Sequence, residues 1–132
     1  KSETKNKKVK FYGKLNFDEL CKLYSLADIF VYAPNWPEGL PTSVLEAGLM
    51  DCAVISSPQG GNKEVIDDGE NGIMINNEEE LTDAIKTLID NPELRRTYSK
   101  QLKTKVLNNF EWSKTSEKIL SDIKRGIKKY EK

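Results

Sequence analysis

Asp28-Ile29-Phe30-Val31-Tyr32-Ala33, running directly into Pro34-Asn35-Trp36-Pro37-Glu38-Gly39-Leu40-Pro41, decides the fold of this chain. The first six residues form a nearly continuous apolar run, the mark of a strand buried on both faces of a parallel sheet. The next eight carry three prolines and a glycine, so they read as loop. Thr42 or Ser43 is placed to cap a helix carrying Val44, Leu45, Ala47 and Leu49. Asp51 ends that helix, because Asp tolerates the left-handed turn better than most residues. Strand, loop and helix then repeat. Ala53-Val54-Ile55-Ser56 reads as a strand, Ser57-Pro58-Gln59-Gly60-Gly61-Asn62 as its loop, and Lys63 to Ile66 as a helical turn.

Upstream, Val9-Lys10-Phe11-Tyr12-Gly13 reads as a further strand, and Asn16 with Glu19 has the form of a capping box. Phe17, Leu20 and Tyr24 follow at helical spacing. Downstream, Asp67 to Gly72 reads as a turn and Ile73-Met74-Ile75 as a short strand. The rest reads as helix. Asn77 with Glu80 predicts a second capping box, and Leu81, Ala84, Ile85 and Leu88 predict a buried stripe. Asn91-Pro92 restarts the chain as a helix faced by Leu94, Tyr98, Leu102 and Val106. Ser113 opens a last one, with Ile119, Leu120, Ile123 and Ile127 on its expected buried side. Trp112 and Tyr98 are expected in the core. Alternating strands and helices imply an α/β fold, a Rossmann-like parallel sheet of about four strands flanked by helices, with a C-terminal helical segment.

The chain has 132 residues, which suits one domain spanning 1–132. It is 37% hydrophobic and 32% charged, an ordinary globular balance. Its 21 basic and 21 acidic residues cancel, which gives no electrostatic footprint for nucleic acid. It contains no histidine, so the commonest general base and metal ligand is missing. Cys21 and Cys52 lack metal-ligand spacing and read as buried, reduced thiols, which points to a cytoplasmic protein. The opening stretch, Lys1 to Lys8, is charged and lacks an initiator Met, as expected of an excised piece. The basic tail, Lys118 to Lys132, reads as a solvated face with cations near a helix C-terminus. Peripheral contact with anionic lipid at the inner face of the membrane is the alternative.

Ligands of open parallel sheets bind beyond the carboxyl ends of the strands. Two loops occupy that place, Pro37 to Thr42 and Gln59 to Asn62. The first runs into a helix N-terminus, where free N–H groups and the macrodipole favour a phosphate. Gly39 lets a ligand approach the backbone; Gly60-Gly61 reads either as a second such approach or as turn chemistry. Glu38 precedes the helix and Glu46 lies about one turn into it, so the two carboxylates would flank that phosphate and accept sugar hydroxyls.

Glu38-Gly39-Leu40-Pro41-Thr42-Ser43-Val44-Leu45-Glu46 resembles the E-x7-E signature of retaining GT-B glycosyltransferases, the group 1 or GT4-like family. Phe11-Tyr12-Gly13, Ala27 to Val31, Gly60 to Ile66 with Asp68 to Gly72, and Phe110 to Ser113 resemble the blocks around that signature. The resemblance implies the C-terminal, donor-binding domain of such an enzyme. It implies that Glu38 contacts the donor sugar near the reacting centre and that Glu46 holds the ribose hydroxyls. Backbone around Gly39, Leu40, Pro41 and Thr42 would hold the diphosphate, with Gly60 and Gly61 beside it. No metal or cofactor is expected; the substrates would be a nucleotide-diphosphate sugar and a glycan or lipid-linked acceptor, as in polysaccharide biosynthesis. The family's basic diphosphate-binding pair and its N-terminal Rossmann domain lie outside this chain, so the chain alone is expected to be inactive and to bind donor weakly. Asp51 and Ala53 stand where the family has Gly and Pro, a change to a turn. A sugar-nucleotide epimerase of the same fold and a non-catalytic flavodoxin-like module are the competing readings. The first is opposed by the E-x7-E block, the second by the lack of an acidic residue at a strand end.

Overall fold

The computed structural model describes residues 8–130, with side chains through residue 125. Among these residues three parallel strands, β1 (Ile29–Tyr32), β2 (Ala53–Ser56) and β3 (Ile73–Met74), form one sheet in the order β1-β2-β3. Ile29 pairs with Ala53 and Tyr32 with Ser56, so β1 and β2 end level with each other. The described residues also form six helices: α1 (Phe17–Leu26), α2 (Thr42–Leu49), α3 (Asn62–Val65), α4 (Glu78–Asp90), α5 (Pro92–Asn109) and α6 (Trp112–Tyr130).

Alternation along the strands divides the core in two. Val54, Phe30, Tyr32 and Met74 face a cluster built with Tyr24 of α1, Val44 and Ala47 of α2, and Leu102 and Val106 of α5. Ala53, Ile55, Ile29 and Ile73 face the other way, onto Ala84 and Leu88 of α4 and Tyr98 of α5. All four residues of β2 are buried, as a central strand covered on both faces requires. The edge strand β1 is only half-buried, with Val31 exposed, contrary to the reading of its apolar run as buried on both faces. Gly48 lets α2 and α5 approach, because Leu102 Cγ lies 2.8 Å from where a Cβ would stand.

Local signals fixed several boundaries. Asn16 accepts from Glu19 N–H at 3.0 Å while Glu19 accepts from Asn16 N–H, a complete capping box. Asn77 likewise accepts from Glu80 N–H, but Glu80 turns back to the N–H of Asn76 instead of Asn77. Asp51 takes φ 63°, the left-handed turn expected of it, and pairs with Lys103 at 2.7 Å.

Several further expectations fail. The run Val9–Gly13 is not a strand, which leaves three strands instead of about four; Val9, Phe11 and Tyr12 are exposed and pair with nothing in the sheet. An apolar run becomes a strand only beside a ladder partner. Thr42 and Ser43 lie inside α2, and Pro41 occupies the cap position without a side-chain hydrogen bond. Trp112 is 85% exposed, and Ile119, Leu120 and Ile123 of α6 also face solvent. Amphipathic spacing marks a face able to be buried, and no described element covers this one. The side chain of Ile127 lies outside the described residues. Of the two thiols, Cys52 is buried and Cys21 half-buried, both free.

Candidate functional site

The loops after β1 and β2 emerge at the same end of the sheet, and a hydrogen-bond net ties them together. Ser56 Oγ donates to Tyr32 C=O at 2.9 Å and Ser57 Oγ to Pro34 C=O at 3.0 Å. Asn62 Nδ2 donates to Ser57 C=O at 2.9 Å, and Gly61 N–H to Gly39 C=O at 3.3 Å. The glycine pair lies directly under the acidic loop. A Cβ on Gly60, whose φ is +53°, would stand 1.8 Å from Glu38 O; one on Gly61 would stand 2.9 Å from Gly39 O and Leu40 Cα. The close approach that these glycines permit is therefore of backbone to backbone.

The tip of α2 differs from those of α1 and α4. Those two are capped by asparagine and carry acidic first turns. Pro41 offers α2 no side-chain acceptor, and its first turn has no acidic residue. The N-terminal N–H groups and the positive end of the macrodipole thus lack a side-chain partner, which suits an anion. Thr42 and Leu40 are exposed at this tip and Gly39 has open space around its α-carbon. Between the strand ends and α4 a cleft of about 280 Å³ opens, lined by Ala33, Asn35, Ser57, Ile75, Asn77 and Leu81. A larger groove, about 460 Å³, lies on the flank between the turn at Asp67 to Asn71 and Lys100 to Lys105 of α5, and shares no residue with the loops at the strand ends.

Both signature carboxylates are held by aromatic side chains. The Tyr32 hydroxyl donates to Glu38 Oε2, and Trp36 Nε1 donates to Glu38 Oε1 at 2.7 Å. These two donors, Tyr32 first, hold the Glu38 carboxyl below the usual range, while Glu38 raises the Tyr32 phenol. The Tyr24 hydroxyl donates to Glu46 Oε2 at 3.4 Å. Burial first, then Glu46, pushes the Tyr24 phenol from 10.0 up to about 12. Burial pushes the Cys52 thiol from 9.0 up to about 11.

Both of these folded-state values lie above the unfolded ones, so both groups ionise more readily once the chain opens. Their contribution to stability is complete below about pH 9 and is lost as pH rises through about 12. Thermal melts from neutral pH upward should show this alkaline decline, and Tyr24→Phe should flatten its upper part. A melting temperature independent of pH across that window would contradict the burial of both groups.

The sequence placed Glu38, Gly39, Leu40, Pro41, Thr42, Gly60 and Gly61 at one end of the sheet, and the structure brings them together there. Glu46 is half-buried one turn into α2. Tyr24, Tyr32, Ser57 and Asn62 were not singled out. An aromatic at the last position of β1 is the one sequence signal that could have found Tyr32; the others depend on tertiary contacts.

The layout is that of an α/β domain with a Rossmann-like parallel sheet, an uncapped tip on α2, and Glu38 and Glu46 hydrogen-bonded to Tyr32 and Tyr24. The chain belongs to the glycosyl transferases group 1 family, whose profile matches residues 1–105. It is 34% identical over 112 residues to a glycosyltransferase of Methanocaldococcus jannaschii, covering 83% of this chain and 29% of that protein. The chain thus spans under a third of that relative's length. The C-terminal domain of a group 1 glycosyl transferase from Francisella tularensis superposes with a TM-score of 0.70 at 27% identity, covering 77% of this chain and 53% of that one. An Anabaena protein in complex with UDP and glucose shares the fold, with a TM-score of 0.80 at 21% identity over 90% of this chain and 32% of that one. The fold is that of a GT-B C-terminal domain. No described helix is long and apolar enough to cross a membrane. Among the described residues no cluster of three or more His, Cys, Asp or Glu side chains is arranged to hold a metal ion.

Proposed function

We propose that this chain is the donor-binding part of a retaining glycosyltransferase that transfers a sugar from a nucleoside diphosphate to a glycan or lipid-linked acceptor. The observation that carries the reading is the bare tip of α2 with Glu38 before it and Glu46 one turn inside it. In this reading the Gly39 to Thr42 backbone and the helix dipole hold the diphosphate. Glu46 accepts the ribose hydroxyls, and Glu38 accepts hydroxyls of the transferred sugar. Fixed dipoles and cations stabilise the departing nucleoside diphosphate without a metal. The acceptor site and the cations come from the remainder of the protein. That the Anabaena protein sharing this fold was crystallised with UDP and glucose supports the choice of donor.

Donor turnover by the intact protein tests the roles. Glu38→Ala should lower kcat/KM by on the order of a hundredfold, because a misplaced sugar loses its reactive geometry. Glu46→Ala should act mainly on donor KM, by roughly tenfold or more, the size of a lost hydrogen bond to a charged group. Wild-type rates and donor affinities in both variants would remove the assignment.

A further inference from the structure

Four ring and hydrogen-bond contacts join the two signature carboxylates. Tyr24 reaches Glu46 from α1, and Tyr32 reaches Glu38 from the end of β1. Between them stands Phe30. Its ring meets Tyr24 edge-on at 5.5 Å and stacks on Tyr32 at 6.4 Å with an interplanar angle of 8°. Phe30 and Tyr32 share one face of β1 because they are two residues apart. The same face carries the core cluster containing Tyr24.

We infer that Tyr24, Phe30 and Tyr32 form a positioning row that fixes Glu38 and Glu46 relative to each other. Packing alone does not require this arrangement. A buried tyrosine hydroxyl needs some acceptor, and here both hydroxyls at the ends of the row take the two acids of the signature instead of a backbone carbonyl. Glu38 needs such an anchor more than Glu46 does. It sits on a loop, and a glutamate side chain on a loop otherwise samples many rotamers. The phenol and indole each take one carboxylate oxygen, which fixes the plane of the group. A carboxylate held this way keeps lone pairs directed outward for sugar hydroxyls, with little reorganisation on binding. Tyr24 anchors the other acid to the same rigid row, so the span between sugar and ribose contacts is set by β1 and α1 instead of by the loop. The inference rests on the reading in which Glu38 and Glu46 bind the donor.

The test uses the intact protein with Tyr32→Phe, Tyr24→Phe and Phe30→Leu, beside Glu38→Gln and Glu46→Gln. Two readouts are taken: the titration of the Glu38 carboxyl followed by carbon NMR, and donor kinetics against pH. Tyr32→Phe removes the larger of the two donors that depress the Glu38 carboxyl. Its titration midpoint should rise, and the acid limb of kcat/KM should move to higher pH with it. Its kcat should fall roughly tenfold, as expected for loss of one charge-assisted hydrogen bond. Tyr24→Phe should raise donor KM and leave the Glu38 titration in place. Phe30→Leu keeps both hydroxyls but breaks the ring contacts, and should shift both kinetic constants by less than either tyrosine variant.

An unchanged Glu38 midpoint and pH profile in natively folded Tyr32→Phe, with Glu38→Gln impaired, would overturn the row and leave the proposed function standing. Should Tyr32→Phe melt early, the midpoint is read below its melting temperature, and an unmoved value there overturns the row equally. A raised midpoint with fully active Glu38→Gln and Glu46→Gln would instead overturn the proposed function, while the grip of the row on the carboxylates stands.

Discussion

Gly60→Ala should cost the intact protein most of its donor turnover, on the order of a hundredfold in kcat/KM, while the domain still folds. The new Cβ would stand 1.8 Å from Glu38 O and 2.7 Å from Glu38 N and C, atoms of the backbone that cannot rotate aside. The acidic loop must lift or the Gly60 turn must change, since φ +53° also disfavours a side chain. Either movement separates Glu38 from Tyr32 and alters the entry to α2. A left-handed non-glycine residue costs about 1–3 kcal/mol, which lowers the melting temperature without unfolding the chain. Gly69→Ala provides the control. Gly69 also has positive φ, at +75°, but a Cβ there meets nothing within 4 Å. It should lose less stability, from the backbone strain alone, and keep its turnover. Equal kinetic losses in the two variants would show that the clash with Glu38 is irrelevant.

Leu102→Ala should produce the largest loss of stability. Leu102 is fully buried and packs in the cluster that joins α2, α5 and β2. Its side chain occupies the space left by Gly48, so truncation opens a void that α2 and α5 cannot both close. A buried Leu→Ala change costs about 2–5 kcal/mol. For a domain of this size that lowers the melting temperature by roughly 10–20 °C. Because the void abuts α2, the helix bearing Glu46, donor KM should rise even at temperatures where the variant remains folded. A melting temperature within about 2 °C of wild type would mean that α5 is not packed on α2 in this way. Ile119→Ala, on the exposed face of α6, should by contrast leave the melting temperature of this chain nearly unchanged.

What could be read from the sequence was what depends on near neighbours. Asn16 and Glu19 cap α1 through contacts three residues apart, and Asp51 turns the chain through its own φ. The strands β1 and β2 carried enough apolar residues to be found, and the spacing of Glu38 and Glu46 put the first before α2 and the second one turn inside it. The failures share a cause. Val9–Gly13 has strand-forming residues, but pairing requires a neighbour that no local pattern supplies. Ile119, Leu120 and Ile123 repeat at helical spacing, yet burial requires a second face. Gly60 and Gly61 read equally well as a turn or as a ligand approach, because the backbone they admit, Glu38 at Gly60 and Gly39 and Leu40 at Gly61, lies over twenty positions away. Tyr24 and Tyr32 were legible only as members of a helical stripe and of a strand; the tertiary structure reveals where their hydroxyls go.

Backbone amide chemical shifts test the central claim most directly. The protein is titrated with a nucleoside diphosphate in large excess. The account predicts shifts concentrated at Gly39, Leu40, Thr42 and Ser43, with smaller ones at Glu38, Glu46 and Gly61. Shifts confined to the flank groove around Asp67, Asn71 and Lys105, with the tip of α2 silent at saturation, would contradict it.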